Sequence, residues 1–137
     1  MEAIVPYLSF NGNAAQALAF YAKALEGKIL FQQTFGEAPM PSSDDMKDKI
    51  MHATFEAGSL VLMVSDCPPE NSVTPGSNIS LSLNFKDIAS IEKTFAAFSE
   101  GATITMGLED TFWGARFGML TDQFGINWMF NHDLPKD

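Results

Sequence analysis

The stretch Phe112-Trp113-Gly114-Ala115-Arg116-Phe117-Gly118-Met119-Leu120-Thr121-Asp122-Gln123-Phe124-Gly125-Ile126-Asn127-Trp128 decides how this chain folds. Two apolar runs flank Asp122-Gln123-Phe124-Gly125, which reads as a hairpin turn, because glycine accepts the positive φ that such turns often demand. The hairpin is expected over residues 116–131. The same segment holds both tryptophans and the single arginine of the protein.

The pattern upstream supplies the partners of that hairpin. Residues 103–108 read as another strand. Asp87 is placed to cap a helix whose Ile88, Ile91, Phe95 and Phe98 recur at helical spacing, with Gly101 ending it. In residues 78–85, Asn78, Ser80, Ser82 and Asn84 share one face of a strand, and Ile79, Leu81, Leu83 and Phe85 share the other. Residues 66–77 contain three prolines and read as a linker.

The same order occurs earlier in the chain. Residues 3–10 read as a strand. Asn13 is expected to cap a helix with Gln16 as box partner, Ala14, Ala17, Leu18, Tyr21 and Leu25 form its apolar face, and Gly27 ends it. Residues 28–35 form a strand, 36–47 a mobile loop, and 50–57 and 60–65 two strands joined at Gly58-Ser59. The expectation is an α+β fold of two βαβββ modules, about residues 1–66 and 77–131, within one domain over 1–137. Their mixed sheets would enclose a cleft, with the helices outside.

Composition narrows the function classes. The chain has 137 residues, 46% of them hydrophobic, twelve of them Phe, enough for a packed interior. A net charge of −9 disfavours nucleic acid and anionic membrane surfaces, since both are met with basic patches. One cysteine, Cys67, rules out an intrachain disulfide and suits a reducing cytoplasm. No apolar run approaches a membrane span, and no leader-like segment is visible. A soluble cytoplasmic protein is expected.

Few residues point to chemistry. Arg116 lies among aromatic residues and is the one side chain able to grip a carboxylate or phosphonate with a planar fork; an ion pair with Asp110 or Asp122 is the alternative. Trp113, beside Gly114, is a candidate pocket aromatic, while Trp128 shares a face with Ile126 and Phe130 and belongs to the core. His52 alternates with Thr54 and Glu56 and suits an acid, base or hydrogen-bond role, or a structural one. His132, in the polar tail, is expected to be solvated. Asp66 is expected to hold the turn before Cys67-Pro68-Pro69, and Cys67 lacks a cationic activator in sequence. Met63 and Met129 could line an apolar pocket.

Several ordered motifs resemble one family. Pro6-Tyr7-Leu8-Ser9-Phe10-Asn11-Gly12-Asn13-Ala14 followed by Phe20-Tyr21, then Met51-His52-Ala53, Leu62-Met63-Val64-Ser65-Asp66, and Trp113-Gly114 through Trp128, resemble the PhnB-like branch of the vicinal-oxygen-chelate superfamily. That superfamily includes glyoxalase I, bleomycin-resistance proteins and extradiol dioxygenases. Members of the branch carry the label 3-demethylubiquinone-9 3-methyltransferase-like, but no glycine-rich nucleotide loop supports methyl transfer here. The resemblance places the metal ligands of metal-using relatives at Val5 or Pro6, Leu62 or Met63, Asn78, and Met129 or Trp128. These are poor ligands for a divalent cation. The resemblance therefore implies a small-molecule-binding homodimer with no metal and no cofactor. Its candidate ligand contacts are Arg116, Trp113, Tyr7, His52, Asn78, Ser80, Met63 and Met129. The alternative is a metal-dependent lyase, isomerase or dioxygenase whose displaced site uses His52 with Glu56, or Asp66.

Overall fold

The computed structural model describes residues 1–39 and 41–136. Met40, inside the loop expected at 36–47, and Asp137 lie outside the described residues. The chain divides into two units, Met1–Thr74 and Pro75–Asp137. The first contains β1 (Tyr7–Phe10), α1 (Ala14–Ala24), β2 (Lys28–Thr34), β3 (Ile50–Ala57) and β4 (Leu60–Asp66). The second contains β5 (Leu81–Asn84), α2 (Ile88–Phe98), β6 (Thr103–Asp110), β7 (Ala115–Thr121) and β8 (Asn127–Asp133). Each unit is therefore βαβββ, and the α+β fold is as expected.

The first sheet has strand order β1-β4-β3-β2 and the second β5-β8-β7-β6. In each, the first strand of the unit pairs parallel with the last, and the other pairs are antiparallel. A parallel pair needs a crossover, and the helix supplies part of it.

In the first unit, Ala14, Ala17, Leu18 and Tyr21 form the buried face of α1, with Leu8, Phe10, Phe55, Leu62 and Val64 also in the core. β1 is shorter than the expected strand over 3–10. Pro6 has no N–H to give a ladder, and its carbonyl accepts from the Met63 N–H at 3.0 Å. The start of α1 also differs from expectation. The Asn13 side chain makes no capping bond. Asp66, at the end of β4, does that work from 52 residues away: its Oδ1 accepts from Gly12 N–H at 3.0 Å and Ala14 N–H at 2.9 Å. Its Oδ2 accepts from Ile50 N–H at 2.9 Å, so one buried carboxylate ties the ends of β1 and β4 to the starts of α1 and β3. At the other end of α1 the left-handed residue is Glu26, φ 54°, not Gly27. Gly27 is required by space: a Cβ there would lie 2.5 Å from the Glu56 carbonyl oxygen and from the Phe55 ring.

The expected loop is closed at its base by Gly36 N–H to Lys47 O at 2.9 Å and Phe35 N–H to Lys49 O at 3.0 Å. The Glu37 carboxylate accepts from the Thr34 N–H and hydroxyl, which holds its carboxyl below the ordinary glutamate range.

In the second unit, β5 covers only half of the strand expected over 78–85. The Asn127 side chain donates to the carbonyls of Gly76 and Ile79, and Asn78 and Ser80 precede the ladder. The Asp87 cap is as expected, with Oδ1 accepting from Ser90 N–H at 2.7 Å. Phe95, Phe98, Trp128 and Phe130 interlock edge-to-face with ring centroids 5.0–5.4 Å apart, so Trp128 is core as expected. The hairpin turn forms with Gly125 at φ 91°. Buried Asp122 organises it, with Oδ1 accepting from Phe124 and Ile126 N–H and Oδ2 from the Trp128 indole N–H at 2.8 Å. His132 is not a solvated tail residue. It lies in β8, part-buried, with Nδ1 2.9 Å from the Phe85 carbonyl oxygen. A carbonyl only accepts, so Nδ1 carries the proton there.

Candidate functional site

Side chains alternate across each sheet, and in the first sheet the buried members face α1. The other face carries Tyr7 and Ser9 on β1, Met63 and Ser65 on β4, His52, Thr54 and Glu56 on β3, and Phe31 and Gln33 on β2. The Tyr7 hydroxyl lies 2.9 Å from His52 Nδ1. The two rings are 5.7 Å apart, and the Phe31 ring is 6.2 Å from His52 on its other side. Tyr7 and Phe31 are each about half exposed, and His52 is partly exposed. This brings together three of the expected contacts, Tyr7, His52 and Met63. It adds Phe31, which looked in sequence like any apolar strand residue.

Arg116 belongs to the second unit. It alternates with Phe117 on β7 and lies on the side of the second sheet that faces α2. There its Nη1 donates to Glu92 at 2.6 Å and its Nε to Asp110 at 2.8 Å. The guanidinium read as an anion grip is thus engaged by two carboxylates, and the Asp110 partner is the alternative weighed from sequence. The hydrogen bond from Arg116, reinforced by its charge, holds the Asp110 carboxyl below the ordinary aspartate range and raises the arginine further. Whatever Asp110 adds to stability is present above the ordinary aspartate pKa and is lost as pH falls through its lowered value. Arg116→Met is expected to return the Asp110 pKa toward the ordinary value, read by NMR titration of the side-chain carboxyl; no change would break the assignment.

Trp113 sits in the β6–β7 turn, half exposed, with its ring against Phe112 at 5.1 Å and Phe117 at 5.7 Å. Met129 is partly buried beside Met119 and Ser82 on the face of the second sheet away from α2.

The positions implied for a metal do not fit one. Leu62 and Trp128 are fully buried, and the Pro6 carbonyl is bonded to Met63 N–H. Of the remaining side chains, only Asn78 offers oxygen, and thioethers do not hold hard cations. The displaced alternative fares no better. His52 and Glu56 are four residues apart on one strand, roughly 13 Å along it. Asp66 spends both oxygens on backbone N–H groups. Among the described residues, no three His, Cys, Asp or Glu side chains are grouped to hold an ion.

Comparison with known proteins gives a consistent result. The family described as "Glyoxalase/Bleomycin resistance protein/Dioxygenase superfamily" matches residues 3–130. Protein YjdN of Escherichia coli K12 is 31% identical over 136 residues, covering 92% of each chain. The crystal structure of protein PA1353 from Pseudomonas aeruginosa is 43% identical, with TM-score 0.89 over 98% of this chain and 100% of that one. A PhnB protein from Bacillus cereus is 23% identical, with TM-score 0.78 over 96% and 99%, and shares the fold.

Proposed function

Since the chain belongs to the glyoxalase/bleomycin resistance protein/dioxygenase superfamily, we propose that it is of the PhnB-like branch and binds a small organic molecule without a metal ion at the positions metal-using relatives employ. The observation that carries this reading is the Tyr7–His52 hydrogen bond on the open face of the first sheet, flanked by Phe31 and Met63. It offers polar and aromatic groups where a ligand can reach them. With Arg116 engaged, Tyr7 and His52 replace Arg116 and Trp113 as the leading contacts. The test is a thermal-shift screen of small organic acids, phosphonates and aromatic compounds, with and without chelator. A hit is expected to raise the melting temperature equally in both. A hit that needs added metal would favour the enzyme reading.

We further infer a homodimer in a reducing cytoplasm. Leu30, Ile79, Ile104 and Phe112 are exposed apolar side chains in a chain with one cysteine, and a second copy of the chain would cover such surface. Light scattering at micromolar concentration is expected to give about twice the 15.0 kDa of one chain. A mass of one chain refutes it. No described helix is long and apolar enough to cross a membrane.

A further inference from the structure

The open face of the first sheet is organised in two rows that run across the strands. One row is Tyr7, Met63, Thr54 and Phe31, each opposite the next in the strand register. The adjacent row is Ser9, Ser65, His52 and Gln33: Ser9 is opposite Ser65, Gln33 is opposite His52, and one step beyond the Ala53–Val64 pair sets His52 beside Ser65. The first row is mostly aromatic and apolar. The second is wholly polar. Tyr7–His52 is the one side-chain hydrogen bond made by either row among the described residues.

That bond sets what His52 offers. An imidazole nitrogen accepts better than a phenol oxygen, and a phenol donates well, so the Tyr7 hydroxyl donates to Nδ1. The proton of neutral His52 then sits on Nε2, which has no partner among the described residues. The polar row thus presents an N–H donor, two hydroxyls and an amide. No cation stands in either row. The nearest charges on this face are Glu56 and Lys28, which face each other at 3.9 Å, and the whole chain carries −9. An anion seated on these two rows would find no countercharge within them. Four strands span roughly 14 Å, enough for two or three fused rings lying across them.

We propose that this two-row face takes an uncharged planar fused-ring molecule carrying hydroxyl or carbonyl oxygens along one edge, its rings over Tyr7, Met63 and Phe31 and its oxygens over Ser65, His52 and Gln33. The proposal rests on the small-molecule reading above and names the ligand class of that site.

The chain has two histidines, so ring nitrogen NMR can follow both without ambiguity. 2,3-Dihydroxynaphthalene is the probe, titrated in the presence of chelator. The expected result is movement of the His52 ring signals with His132 unmoved, and an Nε2–H tautomer pattern at His52 that is lost in Tyr7→Phe. Phe31→Ala should weaken binding about three- to tenfold through lost stacking, and Ser65→Ala should weaken it without altering the tautomer. Unmoved His52 signals, or equal affinity for wild type and Phe31→Ala, overturn the proposal. If the screen above yields only charged or non-planar ligands, this inference fails while small-molecule binding stands. If nothing binds at all, both fail.

Discussion

Asp66→Ala is expected to lower the stability of the fold by about 3–5 kcal/mol, because three backbone N–H groups lose a charged acceptor in a buried setting. That is a large share of the roughly 5–15 kcal/mol available to a domain. The carboxylate joins segments that are far apart in sequence, so its loss loosens the entry to α1 and the start of β3 together. Asp66→Asn keeps one accepting oxygen but sets an amide N–H₂ against a backbone N–H, and should fall between wild type and alanine. Asn13→Ala is the control. Its side chain makes no capping bond, so it should cost less than about 0.5 kcal/mol. Urea unfolding midpoints decide the matter. A larger loss for Asn13→Ala than for Asp66→Ala would show that the helix is capped as the sequence suggests.

Phe130→Ala is expected to cost about 3–5 kcal/mol, the range for removing a buried aromatic ring from a close-packed site. Phe130 is fully buried and meets Phe95 at 5.1 Å, Phe98 at 5.4 Å and Phe85 at 6.2 Å. Directly across the ladder stands Gly118, which has no side chain to move into the space. Phe130→Leu keeps most of the volume and should cost less than about 1.5 kcal/mol. Denaturant titration gives both values. Near-equal losses would mean the aromatic cluster relaxes around the cavity.

What the sequence made legible was local. The Asp87 cap, the apolar stripe of α2, the turn at Gly125 and the extent of β3 all depend on neighbours within one or two turns of chain, and all appear where expected. Asn13 misled because an Asn before an alanine-rich run satisfies the usual capping pattern, whereas the true acceptor is Asp66, expected to hold the Cys67 turn but brought to α1 by the parallel β1–β4 pairing. β5 fell short because alternation marks a face but not the end of a ladder, and Asn127 draws the preceding residues away.

The site was legible in pieces. Tyr7, His52 and Met63 were each singled out, yet nothing local says that Tyr7 reaches across β4 to a ring 45 residues away. The partners of Arg116 were hard to foresee for the same reason. Asp110 is six residues off and could be foreseen, but Glu92 arrives on a helix 24 residues upstream. A lone guanidinium in an acidic chain has many claimants, and only the fold chooses among them.

The division of the chain also separates its chromophores. Both tyrosines, Tyr7 and Tyr21, belong to Met1–Thr74, and both tryptophans, Trp113 and Trp128, to Pro75–Asp137. Indole emission therefore arises in the second unit, and the phenol contribution to absorbance in the first. A single unlabelled sample reports the melting of each half separately, and whether the two curves coincide states directly whether the halves unfold as one cooperative body.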